Sequence, residues 1–294
     1  MRVLDRSWQD RGVLLNSLPL LTLLTLFFIG PILLTLLLTF QEMRSYQLQW
    51  VWSLRVWSEV FSKYSYWVVI GRTVSMAFLS TFLCILIAYP AAYALATRLK
   101  NYASHIQILI IFSFLTDAVL KTFGWVLVLD RNGIGNWLLQ HLGLGDEALN
   151  FLFTPRATLL GVVYNLSVYP LFTIYLSLKR IDRDLILAAY DAGASKWQTF
   201  REVTLPLSRP GLYAGAVLVF VLTLGTFLES KVLGGGKSPL APELIRQTFE
   251  TRVNWPLGAA LTVVLVAIAT IVLAVAVRLV QRTRQEQAAK GAEA

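Results

Sequence analysis

The chain has 294 residues, 56% of them hydrophobic, with a mean hydropathy of +0.62 and a net charge of +9. Its charges cluster between long apolar runs, which excludes an ordinary soluble domain and makes lipid the solvent for much of the surface. The basic excess sits in particular loops, so it reads as a positive-inside bias and not as a nucleic-acid surface, and no nucleic-acid partner is expected.

The first apolar run, at about 13–40, is too long for a signal-peptide core and no small-residue cleavage site follows it. It is expected to be a retained first span, with residues 1–12 as a cytoplasmic N-terminus. Residues about 41–66 carry Trp50, Trp52, Trp57, Tyr64 and Tyr66, aromatics suited to a headgroup layer. Spans two and three fall at about 67–96 and 105–129, followed by the turn-forming Asn132-Gly133-Ile134-Gly135-Asn136. Spans four, five and six fall at about 157–178, 210–230 and 257–280, and residues 282–294 read as a frayed, polar cytoplasmic tail. The chain is thus expected to be an all-α membrane protein of about six transmembrane helices, with its transmembrane domain at 13–281. With the N-terminus inside, basic residues are in excess on the inner side, and both termini are cytoplasmic.

Between spans four and five lies the most informative stretch, residues 182–211. It reads as helix, tight turn, helix, stop. Asp182 or Asp184 caps the first helix, whose small apolar face holds Leu185, Ala188, Ala189 and Ala192. Gly193 fits the left-handed position that ends a helix, and Ser195 with Gln198 forms a capping box for the next. Trp197, Phe200 and Val203 recur at helical spacing, and Pro206 and Pro210 are expected to end the helix and launch span five. The apolar side of this pair must either fold on neighbouring helix ends or enter a groove on a partner.

The run Ala188-Ala189-Tyr190-Asp191-Ala192-Gly193-Ala194, with Phe200, Val203, Leu205 and Pro206, resembles the cytoplasmic EAA loop of ABC importer permeases. Leu187 stands where that family usually has Glu, which removes any ion pair the Glu would make. Ile70-Gly71-Arg72-Thr73 and Tyr89-Pro90-Ala91-Ala92-Tyr93 resemble the second span of the spermidine/putrescine-type group. Ser113 to Gly124 is similar to its third span, with Ser113 for a usual Pro and Lys121 for a usual Arg. Phe153-Thr154-Pro155, Leu233-Gly234-Gly235-Gly236 and Asn254 to Ala260 are similar as well. The resemblance implies the type I importer fold in a bacterial inner membrane, a second permease subunit in a heterodimer, two copies of a cytoplasmic ATPase and an extracytoplasmic solute-binding protein. It implies that ATP and Mg belong to the ATPase, that this chain carries no cofactor, and that Ala188, Ala189, Asp191, Gly193, Ala194, Phe200, Val203, Leu205 and Pro206 dock and couple. The implied solute is a polyamine, with an opine or another amino-acid-derived solute as the alternative.

Asp117 and Lys121 in span three and Glu229 at the outer end of span five are candidates for a solute path, because charge in a span is costly. Asp117 and Lys121 could equally pair at i,i+4, and Glu229 with Lys231 could lie in the outer headgroup layer. His105 and His141 stand alone and Cys84 is the single cysteine, so neither a metal site nor an intrachain disulfide is expected. Gly234-Gly235-Gly236-Lys237-Ser238 is not a P-loop, because Lys231 occupies the position of its first glycine. Gly133-Ile134-Gly135 fails the dinucleotide pattern at Leu138. With no catalytic set in the sequence, an enzyme is not expected. An ion-driven secondary carrier would explain the spans but leave the loop unexplained. Gly211 and Gly215 form a small-xxx-small pair suited to close helix packing.

Overall fold

A computed structural model of the chain describes residues 18–20, 22–99, 103–143 and 150–292. The expected N-terminus at 1–12, residues 13–17 of the first span, Lys100 and residues 293–294 lie outside the described residues. Cα packing gives two units, Met1–Tyr64 with Ile245–Val264, and Ser65–Leu244 with Leu265–Ala294.

In the first unit, α1 (Leu18–Leu38) contains a π-turn over Thr25–Ile29, and it has no buried residues. A helix apolar on every side is stable only in lipid or against a partner. It leads into a two-stranded antiparallel ribbon, β1 (Glu42–Arg44) and β2 (Gln47–Gln49), the one departure from the all-helical expectation among the described residues. Ser45 and Tyr46 close the ribbon with φ of 50° and 61°, the left-handed pair a two-residue hairpin loop needs. Beyond it lies α2 (Arg55–Ser62), which buries Val56 and Val60. Trp50, Trp52 and Tyr64 are exposed, as a headgroup layer requires, whereas Tyr66 in the second unit is buried.

In the second unit the long α3 (Tyr64–Thr97) keeps Pro90 in its interior. It is followed by α4 (Ala103–Leu115), α5 (Ala118–Leu129) and the short α6 (Ile134–His141). Then come α7 (Pro155–Leu166) and α8 (Val168–Lys179), which together make the fourth span. Their junction is at Ser167, beside the Leu166 carbonyl that would receive the N–H that Pro170 lacks. The loop pair α9 (Arg183–Asp191) and α10 (Lys196–Thr199) precedes α11 (Leu205–Leu224) and α12 (Leu228–Val232); α13 (Ala241–Glu250) and α14 (Trp255–Ala292), which ends the described chain, each contribute residues to both units. A buried cluster of Ala88, Ala92, Leu95, Ile110, Val168, Ile174, Tyr175 and Leu178 joins α3, α4 and α8.

The most extensive helix pairing among the described residues is α8 with α11. Gly211 and Gly215 make it possible. A Cβ on Gly211 would stand 2.4 Å from the Ser177 Cβ and 2.5 Å from the Thr173 carbonyl oxygen; one on Gly215 would stand 2.7 Å from the Pro170 Cα. Polar ties fix α3 to α11: Ser80 and Thr223 share a hydroxyl contact of 3.1 Å, and the Tyr89 hydroxyl meets Ser208 Oγ at 2.8 Å.

Several sequence expectations need correction. The third stretch, 105–129, is not one helix but α4 and α5, broken at Thr116-Asp117. The fifth span ends at Gly225, so Glu229 sits on the separate α12 and is buried. Pro206 and Pro210 do not end the loop helix: a π-turn at Phe200–Thr204 leads from α10 directly into α11, and Lys196–Leu224 forms one span-length helix. The wider turn accommodates the missing prolyl N–H and the ring without breaking the axis. The expected frayed tail is helical through Ala292, in keeping with its Arg, Gln, Glu and Ala content.

Candidate functional sites

Within the loop pair, the helix ends are fastened by local hydrogen bonds. Asp182 Oδ1 accepts from the Asp184 N–H at 3.0 Å and caps α9. At the other end Gly193 has φ +84°, its N–H donates to the Tyr190 carbonyl, and the Ala194 N–H donates to the Ala189 carbonyl. These paired bonds make a Schellman cap. Ser195 Oγ then accepts from the Gln198 N–H at 3.3 Å, while the Ser195 N–H donates to Gln198 Oε1 at 2.8 Å, the two halves of a capping box.

This rigid pair leaves large apolar side chains exposed. Leu185, Leu187 and Tyr190 on α9 are exposed, and Trp197 on α10 is 68% exposed. Ala188, Asp191 and Gly193 are exposed too, whereas Ala189, Ala194, Val203, Leu205 and Pro206 are half-buried. Phe200 faces inward: its ring lies edge-on to Tyr93 at 5.4 Å and to Tyr89 at 5.9 Å, and Trp197 stacks on its other side at 5.5 Å. Phe200 therefore ties the lever to α3, and Trp197 provides the outward surface. Tyr89 and Tyr93, quoted in the sequence only for a resemblance, form the bearing. A cavity of about 830 Å³ opens between the pair and the ends of α3 and α8. It is lined by Tyr93, Tyr175 and Tyr190 and by the cations Lys179, Arg183 and Lys196.

A second cavity, of about 750 Å³, brings Asp117, Lys121 and Glu229 together. No ion pair joins Asp117 to Lys121. Asp117 caps α5 by accepting from the Val119 N–H at 2.6 Å, and Lys121 Nζ reaches back to the Ser113 carbonyl at 2.6 Å. Each charge thus satisfies a helix end freed by the break, the carboxylate at an N-terminus and the ammonium at a C-terminus, as the helix dipoles favour. Glu229 is 7% exposed, and its Oε1 accepts from Asn165 Nδ2 at 2.7 Å. Asn165 Nδ2 also lies 3.3 Å from Thr122 Oγ1. Asn165 and Thr122 escaped the sequence reading; the available signal was an amide inside an apolar run, which needs a partner in a membrane.

The family described as "Binding-protein-dependent transport system inner membrane component" matches residues 13–285. The spermidine/putrescine transport system permease protein PotB of Escherichia coli (strain K12) is 33% identical over 210 residues, 71% of this chain and 76% of that protein. The PotB of Salmonella typhimurium (strain SL1344) is 33% identical over 208 residues, 71% and 72% of the two chains. A bacterial ABC transporter involved in the import of the acidic polysaccharide alginate has a chain similar in fold. Its TM-score is 0.72 at 18% identity, over 94% of this chain and 99% of that one.

Proposed function

We propose, on the premise that the chain belongs to the family of binding-protein-dependent transport system inner membrane components, that it forms half of an ATP-driven import pathway for a polyamine. The chain is an inner-membrane permease subunit of an importer and not an enzyme. In this reading a second permease subunit completes the pathway as a heterodimer, and an extracytoplasmic binding protein supplies the solute. Two ATPase subunits, carrying the ATP and Mg, lie beneath the α9–α10 pair, and both termini face the cytoplasm. Residues 13–281 make up the permease domain and 182–211 its coupling loop.

One observation carries this: a doubly capped helix pair holds Leu185 and Trp197 exposed and clear of the cavity that Leu187 and Tyr190 line, and the same helix continues into the fifth span. An exposed apolar helix face suits a groove on a partner. Because α10 runs through a π-turn into α11, rigid-body movement of the pair passes straight into the helix packed on α8. The polyamine reading draws support from what the PotB relatives are named for.

The test is uptake of radiolabelled putrescine and spermidine by the complete importer in proteoliposomes. Saturable uptake that needs ATP, stops with orthovanadate and ignores uncouplers is the expected result. ATP-driven transport that passes over both amines for another solute would overturn the substrate; vanadate-insensitive, uncoupler-sensitive uptake would overturn the coupling.

A further inference from the structure

We propose that Glu229 and Asn165, the latter held in place by Thr122, form an intramembrane recognition site for a primary ammonium group of the transported solute. The inference rests on the reading of the chain as half of a solute pathway and names the side chains that would read the cargo there.

Glu229 and Asn165 are each 7% exposed, and Thr122 is fully buried. The carboxylate of Glu229 has a single partner among the described residues, the Asn165 amide nitrogen. No Lys or Arg of the described residues forms an ion pair with it. Lys121 lines the same cavity, but its ammonium is given to the Ser113 carbonyl. The Thr122 hydroxyl donates to the Ala118 carbonyl at 2.8 Å, so toward Asn165 it can only accept. Both of these contacts therefore take donors from the Asn165 amide and leave its Oδ1 facing no donor: that oxygen is buried and unpartnered. Rotating the amide by half a turn would set its oxygen 2.7 Å from the ionised carboxylate, two acceptors facing each other.

What remains is a buried carboxylate with one amide donor and no ion-pair partner among the described residues, and an orphaned amide oxygen, at the edge of a cavity of about 750 Å³ that also holds Asp117. Buried groups of this kind cost free energy until a donor arrives. An alkylammonium brings three N–H donors and the missing positive charge. A neutral hydroxylated solute would leave the carboxylate uncompensated, and an anionic one would be repelled. Phe114, Val168, Tyr169 and Phe227 on the same cavity suit the methylene chain between two amines. Asp117 is a helix cap already engaged with Val119, so it acts as a second, peripheral negative charge.

The experiment compares wild type, Glu229→Gln and Glu229→Asp in the complete reconstituted importer, using radiolabelled 1,4-diaminobutane. Rates are taken per assembled complex. In Glu229→Gln the KM for the diamine is expected to rise by about tenfold or more, the loss of a charge-assisted hydrogen bond. An unchanged KM overturns the site. If Glu229→Gln does not assemble, Glu229→Asp decides: it keeps the charge but withdraws it from Asn165, and the expected result is again a raised KM, an unchanged KM overturning the site. A wild-type importer that hydrolyses ATP but does not carry the diamine fails the polyamine reading instead, and the two failures are thereby told apart.

Discussion

Gly193→Asp is expected to abolish ATP-driven uptake, by about a hundredfold or more, while the subunit reaches the membrane at wild-type level. The reasoning turns on where the new side chain would stand. Gly193 has φ +84°, and a Cβ there would meet nothing within 4 Å. Asp is among the few L residues that tolerate this left-handed backbone. The Schellman cap can therefore survive, and the isolated subunit has little reason to unfold. The whole penalty falls on whatever covers the loop, where an unpaired carboxylate is buried at a cost of about several kcal/mol. Gly143→Asp is the matched control: it has φ +67° and open space around it, but lies far along the chain from the lever. Uptake in the control should be near normal. Wild-type uptake in Gly193→Asp would mean that nothing docks at the turn.

Paired Gly211→Ala and Gly215→Ala substitutions should have the largest effect on the fold itself. The added methyls would come 2.4 Å from the Ser177 Cβ and 2.7 Å from the Pro170 Cα, and neither neighbour is the far end of a flexible side chain. Overpacking costs about 1–3 kcal/mol at a single site, and here two sites share one helix interface, so α8 and α11 must separate. The purified complex should melt several degrees lower or lose the subunit, with uptake falling in proportion to the assembled fraction. Gly124→Ala, where the methyl meets nothing within 4 Å, is expected to be silent. Equal melting temperatures for the glycine pair and the control would refute the close packing.

The local chemistry of the lever was legible in the sequence because it is written in short-range signals. Asp182, Gly193 and the Ser195/Gln198 pair each satisfy backbone groups within a few residues, and the structure uses all of them. Gly211 and Gly215 were readable for the same reason, as spacing on one helix. The prolines misled, because a proline shows that a hydrogen bond is missing but not how the helix absorbs the loss. At Pro206 the answer was a π-turn that keeps the lever joined to α11. Asp117 and Lys121 misled in a related way. At i,i+4 they invite pairing, yet the helix breaks between Leu115 and Ala118, and each serves a different end. The cluster at Glu229 was out of reach altogether. Thr122, Asn165 and Glu229 come from α5, α7 and α12, and only the packing of those helices brings them within hydrogen-bonding distance.

Docking of the α9–α10 lever on the ATPase is tested most directly by cross-linking in the intact importer. Cys84, the single native cysteine, is buried, and Cys84→Ser leaves a background into which Ala188→Cys places one exposed thiol on α9. With a short thiol-to-amine reagent, the predicted product is a permease–ATPase adduct that is absent from the Gly143→Cys control. An adduct to lipid or to the other permease alone, with the ATPase left unmodified, would contradict it.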